Sequence, residues 1–142
     1  MNIVFVPKVT IITHEELVSV FSVLCSATDF RYAYNKKNYE QIPKGKRNGD
    51  SLEDKVADCL LNGFKVEITD TYADGEVHNE NLEHVIDDNG AVTYYVGLQN
   101  FLDGFSNNDA MKKHLRDLIA GNYDYTTAYC LIQYVLFGKE KQ

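Results

Sequence analysis

The stretch from Phe64 to Val96 limits the fold more than any other part of the chain. Phe64, Val66 and Ile68 alternate with Lys65, Glu67 and Thr69, the period-two signature of a strand with one face in the core. Asp74-Gly75 and Asn89-Gly90 are turn dipeptides, and the second leads into the β-rich run from Ala91 to Val96. Strands joined by tight turns pair antiparallel, since a parallel pairing needs a long crossover. The expectation is an antiparallel β-meander of three or more strands from about Phe64 to Val96.

Helical periods flank this sheet. Thr13 and Glu16 have the spacing of a capping box, and Leu17, Val18, Phe21, Leu24 and Cys25 form one apolar stripe behind it. A second helix opens at Asp50 or Ser51, carries Leu52, Val56, Cys59 and Leu60, and stops at Asn62-Gly63. Leu98, Phe101, Leu102 and Phe105 recur at helical spacing, and a further helix from about Asp109 to Ala120 turns Met111, Leu115, Leu118 and Ile119 inward. Tyr125 to Phe137 holds no charged residue, so this helix is buried on most sides. At 1.5 Å per residue it spans only about 20 Å, short of the roughly 30 Å of a bilayer core. It is either the central helix of the core or half of a subunit interface in a homo-oligomer. Ile3 to Val6 and Val9 to Ile12, split by Pro7, read as a short edge strand or two half-strands. The fold class is α+β: the meander packed against four to five helices, as one compact domain over residues 1–142.

Charge is what points to function. The chain carries 14 Lys+Arg against 21 Asp+Glu, a formal charge of −7, yet 12% aromatic content excludes a disordered acidic chain. The average conceals two regions of opposite sign. From Arg31 to Gly49, the basic residues Arg31, Lys36, Lys37, Lys44, Lys46 and Arg47 oppose only Glu40, with Tyr32, Tyr34 and Tyr39 interleaved. This mixture suits phosphate tracking with ring stacking on bases or a nucleotide, and a connection this long without structure of its own is either functional or a solvated loop. Within the solvated-loop reading, Phe30 to Tyr34 reads as a strand. Between Glu67 and Gly90 there are eight acids and no Lys or Arg. Among them Glu76, Glu80, Glu83, Asp87 and Asp88 mark the wet side of the meander or a surface that imitates a phosphate backbone and occupies a basic groove.

The leading expectation is a non-enzymatic protein-interaction domain, of the kind that phages and mobile elements use as small acidic inhibitors or regulators, whose acidic sheet engages a basic partner. The alternative is nucleotide or nucleic-acid binding through residues 31–49. A cryptic hydrolase comes third. His78-Asn79-Glu80 matches one half of a zinc deaminase signature, but no P-C-x-x-C follows. His78, Glu80, His84 and Asp87 could converge on a metal, although an acidic solvated hairpin with two incidental histidines is the simpler reading. Asp87-Asp88-Asn89-Gly90 lacks the spaced ligands of a calcium loop, and Gly45-Lys46 lacks the flanks of a P-loop. His14 and Cys25 fall about 16 Å apart along one helix, too far for a thiolate pair, while Cys59 or Cys130 with His114 stays open. No metal and no cofactor are expected. Cys25, Cys59 and Cys130 are odd in number and set among apolar neighbours, as buried reduced thiols are. The first apolar run has no basic n-region and is cut by Pro7 and Lys8, so it reads as neither signal peptide nor membrane helix, and a cytoplasmic location is expected.

Overall fold

The structure, a computed structural model, describes residues 12–27, 29–106, 113, 116–117, 120–122 and 125–137. The N-terminal strand expected before Ile12 and most of the helix expected from Asp109 to Ala120 lie outside the described residues.

Helix α1 (His14–Ala27) starts at the foreseen capping box: Glu16 N donates to Thr13 Oγ1 at 3.1 Å and Thr13 N to Glu16 Oε1 at 2.9 Å. It buries Leu17, Val20, Phe21, Val23 and Leu24. Strand β1 (Phe30–Ala33) follows, then α2 (Lys36–Glu40), a single 3₁₀ turn at Lys44–Lys46, and α3 (Leu52–Leu61). The basic segment is therefore structured rather than a bare loop. Asn35 caps α2 by accepting from Asn38 N at 3.1 Å, a local side-chain bond that helical periodicity does not reveal. Ser51 and Asp54 form a capping box on α3. Its other end closes on Gly63 at φ +86°, with Gly63 N donating to Leu60 O and Phe64 N to Cys59 O, a Schellman closure.

The sheet comprises β1, β2 (Val66–Asp70), β3 (His84–Ile86) and β4 (Val92–Val96), all antiparallel, in the order β1-β2-β4-β3. The α+β class stands. Within the segment from Phe64 to Val96, β2 pairs with β4 rather than with the next strand in the chain, and residues 71–83 carry the backbone round to set β3 outside. The reason lies in side-chain pattern: β2 and β4 each alternate buried and half-buried positions, whereas His84, Val85 and Ile86 offer no such stripe. Tyr32, Ile68 and Tyr94 line up across the inner face, beside a row of Phe30, Asp70 and Val92. Arg31, Thr69, Thr93 and Val85 share the outer face, where Thr69 and Thr93 hydroxyls meet at 2.8 Å.

Helices α4 (Leu98–Ser106) and α5 (Tyr125–Phe137) complete the described part, with α5 against both α1 and α4. A Cβ placed on Gly104 would fall 3.0 Å from Val135 Cα, so the absence of a side chain sets how closely α4 and α5 approach. Leu131, Ile132, Val135 and Leu136 are buried, and Tyr129, Cys130, Tyr134 and Phe137 are half-buried. Residues 129–137 of α5 thus serve the core of this chain. Among the described residues, no helix is long and apolar enough to cross a membrane.

Candidate functional site

The acids named from the sequence lie in the connections around β3 and not on strands. Glu76 and Glu80 lie in the connection from β2 to β3, Glu83 just before β3, and Asp87 and Asp88 in the β3–β4 turn, and all five are exposed. A set of backbone and aromatic anchors fixes these connections. Gly75 N donates to Gly90 O at 2.7 Å, laying the start of the connection on the β3–β4 turn. His78 N donates to the Tyr94 hydroxyl at 3.1 Å, and the His78 ring meets Phe137 edge-on at 5.4 Å. Asn79 Nδ2 donates to Leu136 O at 2.8 Å, satisfying a carbonyl in the last turn of α5. Burial pushes the Tyr94 phenol above its ordinary pKa, which keeps that hydroxyl neutral. Asp87 Oδ1 accepts from Asn89 N at 2.8 Å and Ala91 N at 3.0 Å, so this carboxylate also closes its own turn.

Strand β3 is the terminal strand of the described sheet and is held chiefly by β4. Val85 and Ile86 are 51% and 50% exposed. Ile86 sits opposite buried Val92, on the inner face, and Val85 opposite Thr93, on the outer face. Both faces of the strand are therefore open to solvent at the rim that the acids surround. His84 Nε2 lies 3.9 Å from Glu80 Oε2, and His78 Nε2 lies 3.9 Å from Glu76 Oε2, as two separate pairs. Among the described residues no group of three His, Cys, Asp or Glu side chains is placed to hold a metal ion.

The basic segment is partly consumed by its own folding. The Tyr32 ring is buried 4.9 Å from Phe21, and its hydroxyl donates to Glu53 Oε1 at 2.7 Å. That bond is the main reason the Glu53 carboxyl is held below its usual range. Tyr34 and Tyr39 rings stand 5.5 Å apart, and the Arg47 guanidinium lies 4.8 Å from the Tyr39 centroid. Arg47 Nε also donates to Ile42 O at 3.0 Å, tying the turn at residues 42–47. Arg31 donates to its neighbour Phe30 O at 2.8 Å. Lys36, Lys37, Lys44 and Lys46 remain exposed.

A polar cluster that the sequence did not signal joins α1 to α3. His14 Nε2 lies 3.3 Å from Asp54 Oδ1 and 3.6 Å from Asp58 Oδ1. Asp58 is fully buried and accepts from Asn48 N at 2.9 Å and Asn48 Nδ2 at 2.8 Å. Asp54 belongs to the cap of α3. Both carboxylates are thus engaged in holding the entry to α3, and the cluster reads as a structural pin. Next to Asp58, burial pushes the Cys59 thiol up to about 11, away from nucleophilic chemistry at neutral pH. The sequence pairing of Cys59 or Cys130 with His114 rests on a histidine outside the described residues. A cleft of about 240 Å³ between α4 and α5 is lined on its polar side by Asn79, Asn100, Asp103 and Tyr134. Asp103 is its one carboxylate and Tyr134 its one other titratable side chain.

No family model, curated protein or solved structure matches the chain.

Proposed function

We propose that the chain is a protein-interaction domain that engages a basic partner surface through the acidic rim around β3. The observation that carries this reading is the coincidence of five exposed carboxylates with a terminal strand that leaves Val85 and Ile86 half exposed. Carboxylates alone are usually the wet side of a fold. Apolar side chains held open among them add contact area that charge cannot supply. With no Lys or Arg between Glu67 and Gly90, the local field is unopposed within the segment and would steer a cationic partner at a rate that falls with salt. A small acidic inhibitor or regulator acting on a nucleic-acid-binding protein, as phages and mobile elements use, has this chemistry.

The nucleotide or nucleic-acid alternative is supported by the exposed lysines Lys36, Lys37, Lys44 and Lys46, and weakened by the engagement of Tyr32, Tyr39 and Arg47 in the fold. Self-association through α5 draws no support from the burial of Leu131, Ile132, Val135 and Leu136 within the chain.

The test is binding to a panel of purified basic nucleic-acid-binding domains, read by biolayer interferometry at low and high salt. The wild-type chain is expected to bind at least one of them with an association rate that drops with salt. The variant carrying Glu76→Gln, Glu80→Gln, Glu83→Gln, Asp87→Asn and Asp88→Asn is expected to lose that binding. Equal binding by the two proteins, or none by the wild type at low salt, refutes the reading.

A further inference from the structure

The backbone of β3 shows how a partner would be held. The Glu83 carbonyl accepts from Tyr95 N at 2.9 Å, and Asp87 N donates to Ala91 O at 3.0 Å, so both residues direct their backbone groups at the β4 side. Along an antiparallel strand these groups alternate sides. The N–H and C=O of His84 and Ile86 therefore point the other way, where the described sheet has no further strand.

We infer that this edge takes up an extended segment of a partner, bearing Lys or Arg, as an added strand paired to the backbone of His84 and Ile86. The inference rests on the proposed interaction role and specifies its mode. Main-chain pairing supplies the docking and alternate side chains the selection. Val85 and Ile86 lie open on opposite faces, so apolar side chains on either face of the incoming strand find a neighbour. Glu83 and Asp87 flank the strand at its two ends, with Glu80 beside His84, and these carboxylates select cationic residues at the margins. Short charged edges also protect sheets from pairing with one another. Half-exposed Val85 and Ile86 are what a purely protective edge would avoid.

The probe is a synthetic peptide, Lys-Val-Lys-Val-Lys-Val-Lys, compared with the same peptide N-methylated at its three central residues. N-methylation removes backbone donors on both edges of the peptide and keeps its charge. Calorimetry at low salt is expected to show about a tenfold or greater loss of affinity on N-methylation, the size of one or two net hydrogen bonds. The unmodified peptide is also expected to slow amide exchange at His84 and Ile86 selectively. Equal affinity of the two peptides, with both lost in the variant neutralised at the five acids, overturns strand addition and leaves the acidic-surface reading standing. No binding of either peptide overturns strand addition as well, and if the basic domains also fail to bind, both proposals fall.

Discussion

Replacing Gly90 by Ala tests the framework that gathers the acidic rim. Gly90 has φ +84°, and a Cβ there would lie 3.0 Å from Gly75 N and 3.2 Å from Asp74 Cα and C. All three neighbours are backbone atoms, so none can swing aside as a side-chain tip would. The left-handed conformation costs an L-residue roughly 1–2 kcal/mol. Overpacking against fixed atoms costs roughly a further 1–3 kcal/mol, and the reduced freedom of the unfolded chain returns about 0.4–1 kcal/mol. The net is a destabilisation of roughly 1–4.5 kcal/mol, centred near 3 kcal/mol, or about 10 °C in Tm at that centre for a domain of this size. Gly63→Ala is the matched control, because Gly63 has φ +86° and nothing within 4 Å of the added Cβ. It bears the conformational cost alone and should lose about 1 kcal/mol. Thermal and urea unfolding of the two variants side by side isolate the contact. If Gly90→Ala is no less stable than Gly63→Ala, the 74–75 backbone is not packed on the β3–β4 turn as the structure has it.

Asp58→Ala removes the acceptor of the Asn48 N–H and the shorter of the two hydrogen bonds its amide donates, and should lower stability by about 2 kcal/mol in urea melts; a change below about 0.5 kcal/mol contradicts the pin. Tyr32→Phe removes the hydroxyl that does most to hold Glu53 below its ordinary 4.5. Because a depressed carboxylate stabilises the fold above its unfolded pKa and loses that contribution as pH falls through the folded one, the variant should be about 1 kcal/mol weaker at neutral pH and converge on wild type in acid. For Cys59 the sign reverses. Between the ordinary 9.0 and about 11 the unfolded thiol ionises while the folded one stays protonated, so stability falls as pH rises, and Cys59→Ala should show a shallower decline in alkaline denaturation. An equal slope in the two proteins contradicts the burial of that thiol.

Local pattern carried much of the architecture. The Thr13/Glu16 cap, the Ser51 start of α3 and its Gly63 stop, and the alternation of Val66 and Ile68 were each written in a few adjacent residues. Strand order was not, because the placement of β3 outside β4 depends on how residues 71–83 are anchored to Tyr94 and to Leu136, far away in the chain. The same limit applies to the surfaces. Counting charge assigned the acids to a sheet face, whereas Glu76, Glu80, Glu83, Asp87 and Asp88 lie in the connections on either side of β3. Nothing in composition indicated that Tyr32 and Arg47 would be drawn into the fold while the four lysines stayed outside. Asp58 escaped notice because its partners, Asn48 and His14, are 10 and 44 residues away in the chain and helical spacing does not reveal them.

The central claim is that the acidic rim around β3 is the contact surface. Titrating the ¹⁵N-labelled chain with the Lys-Val peptide and mapping amide shifts tests it directly. The account predicts perturbations clustered from Glu76 to Asp88 that shrink with added salt. Shifts centred on Lys36 to Arg47, or on α5, would contradict it.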